Sequence, residues 1–532
     1  MRLSRLALMC VVVVLSCTAL FSQSNQGKSV ADIAREYKEK QRDMVRIGPA
    51  EAKELFSTLD QMLAFVSRDT GFARHGTVNR KLIGRKELDA EYEKLVAEDA
   101  VDQELERSEV VLKKFGLLPK DYGVKHYLTN VYTRQIGAFY RPKDKTMYLL
   151  NWIELEKQEK IMPHELTHAL QDQNYDLAKY GRSKGEQESQ EKKPEKPAPS
   201  MKVDEVEDSE RLTAQQAFIE GQAMLVYYDY LLSKSGLGTE LKPELLKALQ
   251  QELQEYDGPF SMRNAPMVLE ASAMFPYREG LSFELELLKR GGRKAAFADV
   301  FARPPKDTHE ILEPAAYLAN KRATIFTIPD LKPVLSEAYQ AYDTGLMGEF
   351  DVQIMARQFG RDNDLYSVVP FWNGGGYIAV KRAGAPKAVT TGDVALLYVS
   401  NWKKPEAAIR LAKIYKAALP KRVQVLKEDV IESSDCEDEK CMSPLWAARV
   451  ATNEGPVFIE VWPGNRLLIS QSFDDRTFGA LRKAVLTPTP NKATTSFNHE
   501  LLMGLYESPT FSAFQERVGE ELLERVAQKV IH

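Results

Sequence analysis

The spacing of hydrophobic and polar positions changes character along the chain. Between residues 29 and 117, apolar and charged side chains recur at helical intervals, as in ADIAREYKEKQRDMV and RKELDAEYEKLVAEDAVDQELERSEVVLKKF. That period predicts long amphipathic helices, which act as a packing scaffold more often than as a site. The stretch RQIGAFYRPKDKTMYLLN breaks it, predicting two short strands joined by a turn at Pro142-Lys143-Asp144-Lys145 and leading into a helix that starts near Trp152. ERLTAQQAFIEGQAMLVYYDYLL then predicts another strongly helical segment.

Between these helices, residues 181–210 are charged, Pro-containing and nearly free of large apolar groups. Such sequence cannot offset its ordering entropy by burial, so a disordered excursion inside a domain is expected there. Residues 331–490 mix strand patterns (GGYIAVKRA, DVALLYVSN, GPVFIEVW, NRLLISQSF) with the helical PEAAIRLAKIYKAAL, which predicts a small α+β domain for interaction or support. The run Gly374, Gly375, Gly376 lacks the spacing of a phosphate-binding loop and reads as a turn between strands. The expected map is a leader over 1–24, a helical region over 25–120, a domain over 121–330 interrupted at 181–210, the α+β domain over 331–490, and a helical tail over 491–532. The fold class is α+β.

Composition changes this picture in two places. MRLSRLALMCVVVVLSCTALFSQS has Arg2 and Arg5, an apolar run from Leu6 to Phe21, and small residues at Ser22 and Ser24, the layout of a secretory signal. Export to the periplasm or the extracellular space is expected, with lipid modification at Cys17 or an uncleaved membrane anchor as alternatives. Beyond the leader only Cys436 and Cys441 remain, and they read as a short disulfide loop suited to an oxidising compartment, the alternative being two unpaired thiols. Without Arg2 and Arg5, 70 Lys+Arg face 76 Asp+Glu, a net charge of about −6. That balance gives no reason to expect nucleic acid or an anionic membrane surface as partner.

The chemistry concentrates in IMPHELTHALQDQNYDL, residues 161–177. On a helix, residues four apart differ by about 40° in azimuth, so His164 and His168 project from one face and can bind one ion together. Glu165 lies about 100° round from His164, within reach of a water on that ion without ligating it. Asp172 follows His168 by four and is expected to accept an imidazole N–H. Pro163 is tolerated only in a first turn, so the metal helix either begins there or kinks there. A third ligand is needed, and Glu220 sits among Ala217, Phe218, Ile219, Ala223, Met224 and Val226, where a carboxylate is costly to bury unless paired or metal-bound. The bland alternative puts Glu220 on a solvated face. Gly221 beside it makes sense where another backbone passes closely. His75, His126, His499 and His532 show no clustering and read as surface or structural residues.

A β-hairpin followed by an H-E-x-x-H helix is the order in which thermolysin-like zinc peptidases are built, with a strand edge that pairs with extended substrate. Several further motifs together resemble a family. HELTHALQDQ, then FIEGQAM, FPYREGLSFELELLKRGG and RPPKDTHEILEPAAYL are similar to exported bacterial gluzincin-type zinc metallopeptidases, over roughly residues 120–400. The departures are a loosely matching glycine-rich FWNGGGYIAV, Pro163 in place of a small residue, and the long insertion. The resemblance implies a mainly helical, zincin-like catalytic domain with a small sheet, His164, His168 and Glu220 as zinc ligands, and Glu165 as general base. Tyr277 in FPYREG and His309 in KDTHEI are candidate donors to the oxyanion, Tyr277 ranked first because it falls in a family-like motif. The expected function is zinc-dependent hydrolysis of peptide bonds in a peptide or protein substrate. Hydrolysis of another bond is one alternative; a catalytically silent zinc-binding or metal-free envelope protein acting through its C-terminal domain is the other.

Overall fold

A computed structural model of the protein describes residues 45–96, 99–127, 138–177, 180, 203–234, 249, 265–321, 328–329, 331, 333–335, 337–432 and 443–487. The expected leader with Cys17, residues 181–202 of the expected excursion, the Cys436/Cys441 pair, and the expected tail with His499 and His532 lie outside these residues. Helix α1 (Pro49–Thr70) buries Leu55, Leu59, Met62, Leu63 and Val66, the stripe that a 3.6-residue period produces, and ends at Gly71 with φ 78°. The chain does not stay helical after it. Strand β1 (Asn79–Ile83) precedes helices α2 (Arg85–Val96) and α3 (Asp99–Phe115).

The expected hairpin forms from β2 (Ala138–Arg141) and β3 (Thr146–Leu150), with Lys145 in its turn at φ 54°. β2 runs antiparallel to β3, while β1 joins the other side of β3 in parallel, pairing Asn79 with Thr146 and Ile83 with Leu150. β2 is therefore an edge strand of a three-stranded sheet. Alternate side chains face opposite ways. Ala138, Tyr140, Met147 and Leu149 enter the main core, and Phe139, Tyr148 and Leu150 pack with Ile83 and Trp152 on the other face.

Helix α4 (Leu155–Tyr175) carries the H-E-x-x-H sequence and packs against β2, α1 and α5 (Val203–Lys234). Because α5 starts at Val203, the last part of the expected excursion, 203–210, is helical. Its register continues into the apolar face that begins at Leu212, so burial downstream stabilises a charged first turn that would not hold alone. Helix α6 (Met267–Lys294) lies across α5 and continues into a π-helical turn at Ala295–Asp299. The short helices α7 (Thr308–Leu312) and α8 (Pro314–Leu318) follow.

The C-terminal region is mixed, as its strand and helix patterns predict. Its elements are β4 (Tyr339–Leu346), α9 (Glu349–Phe359), α10 (Asp362–Val368), β5 (Trp372–Arg382), β6 (Val394–Trp402), α11 (Pro405–Ala418), β7 (Val425–Glu432), β8 (Trp446–Thr452), β9 (Gly455–Trp462), β10 (Arg466–Gln471) and α12 (Asp475–Leu486). The seven strands form one antiparallel sheet in the order β4-β5-β6-β10-β9-β8-β7. The glycine run is not a turn. It lies inside β5 at a bulge, where a Cβ on Gly375 would come within 3.0 Å of Ser400 Cβ and 3.1 Å of Tyr398 Oη. The interior strand β6 is buried on both faces: Leu396 and Tyr398 belong to the main core, and Ala395, Leu397 and Val399 cluster with Phe478 and Leu481 of α12. One apolar cluster is continuous from Leu55 of α1 through α4, α5 and α6 to Ile469 of the sheet. Lys114 of α3 fastens the helical side to the strands, donating to Thr391 O at 2.7 Å and Ser472 Oγ at 2.8 Å and pairing with Glu454 at 3.1 Å.

Candidate metal centre

Helix α4 is fixed to the hairpin before it reaches the histidines. The buried Gln158 amide donates to Leu150 O at 2.8 Å and Ile153 O at 3.0 Å and accepts from Leu150 N at 2.9 Å, so the end of β3 and the first turns of α4 move as one piece. Of the two options for Pro163, that the helix begins there is excluded: the helix starts eight residues earlier at Leu155, close to the expected Trp152, and Pro163 lies inside it. Pro163 has no N–H, so it leaves one carbonyl in the preceding turn without its helical donor. Its own carbonyl accepts from Thr167 Oγ1 at 2.8 Å.

One turn further, three side chains converge. His164 Nε2 lies 3.1 Å from Glu220 Oε2, His168 Nε2 3.3 Å from the same oxygen, and the two Nε2 atoms are 3.1 Å apart. All three residues are buried, and they form the one metal-competent group of His, Cys, Asp or Glu among the described residues. Two imidazole nitrogens and a carboxylate oxygen on one small triangle suit a divalent ion of the first transition row. The group could hold a metal ion, and Glu220 is on a buried face, against the solvated alternative.

The surroundings orient each member. His168 Nδ1 meets Gln171 Oε1 at 2.8 Å. Asp172, the acceptor expected from sequence, turns away: it accepts from Tyr140 Oη at 2.7 Å, Leu177 N at 3.0 Å and Lys145 Nζ at 3.1 Å. A strand tyrosine, a loop amide and a hairpin lysine together outcompete an imidazole for that carboxylate, and the longer Gln171 reaches back one turn in its place. Glu165 is buried beside the triangle, its Oε2 accepting from Tyr140 N of the edge strand at 2.8 Å and its Oε1 without a hydrogen-bond partner. His164 Nδ1 likewise has none among the described residues.

The electrostatics follow from burial and close charges. Burial pushes the Glu165 carboxyl up to about 8, with Glu220 adding to the rise and His168 and the Tyr140 N–H opposing it. Burial also brings His164 down to about 4. For His168 burial acts downward, but the Glu220 carboxylate and then Glu165 outweigh it and raise the imidazole to about 9. Glu220 is held below the usual carboxylate range, because the two histidines overcome a burial effect that would raise it. The Glu220 carboxylate and the His168 imidazole thus each favour the other's charged form.

Helices α5 and α6 meet backbone to backbone next to this group. A Cβ on Gly221 would lie 2.3 Å from Gly280 C and O, and one on Gly280 would lie 2.0 Å from Ala217 O. The close passage inferred for Gly221 is thus real, its partner being α6. It carries Tyr277, three residues before Gly280, to the site: its ring is buried and centred 6.4 Å from the His164 imidazole. His309 on α7 pairs instead with Glu349 of α9, and no contact among the described residues joins it to the histidine–glutamate group. His75 and His126 are exposed. Gln171, Gln222 and the Tyr140 backbone N–H were not picked out by sequence reasoning. The signal available for Gln222 was a polar residue between Gly221 and Ala223 in a largely apolar stretch.

No protein-family model, curated protein or solved structure matches this chain.

Proposed function

We propose that the protein is an exported zinc-dependent peptidase, with His164, His168 and Glu220 as the ligands and Glu165 as the general base. The observation that carries this reading is the size of the ligand triangle. Zinc bound tetrahedrally at about 2.0–2.1 Å separates neighbouring donor atoms by about 3.3 Å. The three donor atoms stand at 3.1, 3.1 and 3.3 Å. Held by these three residues, a zinc ion would supply an activated water, its pKa lowered toward about 7.

The remaining chemistry belongs to the chain. Tyr140 N–H holds Glu165 by one oxygen and leaves Oε1 without a hydrogen-bond partner among the described residues; with a cation in the triangle offsetting the burial that raises it, this carboxylate would take a proton from the attacking water and pass it to the leaving amine. Tyr277 stands near His164 as the donor for the developing oxyanion. An antiparallel edge strand beside the H-E-x-x-H helix, as β2 is, supports a zincin-like arrangement in which extended substrate is laid along the strand. A catalytically silent protein is the second reading, favoured by the way His168 and Glu220 satisfy each other as an ion pair.

The deciding experiment incubates a broad peptide library with zinc-loaded wild type, chelator-treated wild type and Glu165→Gln. The peptidase reading expects cleavage by the first alone, with Glu165→Gln slower by about 10²- to 10⁴-fold at unchanged zinc content. Zinc-loaded protein that cleaves nothing, or a Glu165→Gln variant as fast as wild type, would hand the site to the silent reading.

A further inference from the structure

We infer that Gln171 and Gln222 form a two-amide relay, anchored on the Ala296 carbonyl, that fixes which nitrogen of His168 faces the metal. The inference rests on the metal reading of the site and deepens it by assigning positioning residues that act through His168.

The relay can be read from its far end. Gln222 Nε2 lies 2.6 Å from the carbonyl oxygen of Ala296, in the π-helical turn Ala295–Asp299. A carbonyl only accepts, so the Gln222 amide must present its NH2 there and its Oε1 the other way. That Oε1 lies 2.8 Å from Gln171 Nε2, which also donates to Ile219 O at 3.0 Å. Two acceptors on one side fix the Gln171 amide with its NH2 toward α5 and its Oε1 toward His168 Nδ1, at 2.8 Å. His168 Nδ1 must then carry the hydrogen, so in the neutral ring that a metal requires the lone pair is on Nε2, the nitrogen facing His164 Nε2 and Glu220 Oε2. Each amide orientation is forced by a backbone carbonyl, and neither amide can flip without losing a buried hydrogen bond. Gln171 and Gln222 are fully buried, so water offers no substitute acceptor.

The chemical consequence is a neutral acceptor behind the imidazole. Gln171 orients His168 without adding a negative charge to a site that already buries Glu165 and Glu220. The relay also ties the metal helix α4 to the helix bearing the third ligand, α5, and to the turn that ends α6, so ligand orientation is set by three elements at once.

The test uses full-length protein with histidine labelled at its ring nitrogens, and reads zinc affinity by chelator competition together with the His168 Nδ1–H resonance of the zinc-loaded form. Gln171→Leu removes the acceptor and is expected to weaken zinc binding about 10- to 100-fold, with the Nδ1–H signal lost to exchange. Gln171→Glu keeps an acceptor for Nδ1–H but loses the donors to Ile219 O and Gln222 Oε1 and buries a further charge, so it should retain the Nδ1–H signal while weakening zinc less than Gln171→Leu does. Gln222→Leu leaves His168 and Gln171 in place but removes one of the two acceptors that hold the Gln171 amide, so it should broaden the same resonance and lower affinity by a smaller factor. A role in packing alone would not distinguish leucine from glutamate at 171, nor transmit a change at 222 to the His168 ring. Wild type that binds zinc with the same affinity and the same Nδ1–H signal as Gln171→Leu or Gln222→Leu would overturn the relay and leave the metal reading standing. Wild type that binds no zinc would overturn the metal reading and the relay with it.

Discussion

Gly280→Ala tests how the third ligand is placed. The added Cβ would lie 2.0 Å from Ala217 O, 2.8 Å from Ala217 C and 3.2 Å from Ala217 Cα. Carbon and oxygen need about 3.3 Å, so the helices must part by about 1 Å, and since every atom met is backbone, no rotamer change can relieve the overlap. Overpacking of this kind costs about 1–3 kcal/mol, occasionally more, whereas alanine in place of a helical glycine returns about 1 kcal/mol. A rigid backbone clash belongs at the top of that range, so a net loss of about 2 kcal/mol or more is expected in denaturant unfolding of the metal-free protein. Because Glu220 adjoins Gly221 at this crossing, parting α5 from α6 also draws Oε2 away from the histidines, and zinc affinity should fall together with stability. Gly479→Ala in α12 is the control: its Cβ meets nothing within 4 Å, and it should gain up to about 1 kcal/mol. A Gly280→Ala protein as stable as wild type with unchanged zinc affinity would refute the contact argument.

Other consequences are as direct. His168 holds its proton up to about 9 without metal, and zinc needs that lone pair. Zinc binding at pH 7.5 should thus release at least one proton, and affinity should rise with pH toward 9, as calorimetry in buffers of different ionisation enthalpy would record; release of none would contradict the pairing with Glu220. Asp69 on α1 is raised to about 8 by burial and by Asp229 of α5, against the opposing Arg293 at the end of α6. A carboxyl raised in the folded state contributes stability that is complete below about 4 and lost as pH climbs through 8. Asp69→Asn should therefore match wild type near pH 4 and exceed it above pH 8 in denaturation midpoint; parallel profiles would refute the assignment. Tyr277→Phe should lower peptide cleavage by about 10²- to 10³-fold with zinc retained, while His309→Asn, which disturbs only the Glu349 pairing, should leave the rate within a few-fold.

The hairpin, the helical scaffold and the convergence of His164, His168 and Glu220 were legible because each rests on short-range periodicity or on the high cost of burying a carboxylate. What was hidden depends on distant partners. β1 is five residues long and joins the sheet only by pairing with β3, well over fifty residues away, so nothing local separates it from the helices around it. The first turns of α5 carry charges that resemble the charged sequence before them, and only burial further along the same helix keeps them helical. Asp172 has the right azimuth to serve His168, yet Tyr140 and Lys145 claim it from another element, which leaves the role to Gln171. The strand order of the large sheet, in which β10 inserts between β6 and β9, follows from long-range pairing that alternation alone does not encode.

The most direct measurement is the metal content of the purified, folded protein after it has been offered zinc. The account predicts about one zinc per chain, lost in His164→Ala, weakened in Glu220→Gln because a neutral amide is a poor ligand, and retained in Glu165→Gln. Folded wild type that takes up no zinc, or Glu165→Gln that loses it as completely as His164→Ala, would contradict the assignment of His164, His168 and Glu220 as the ligands.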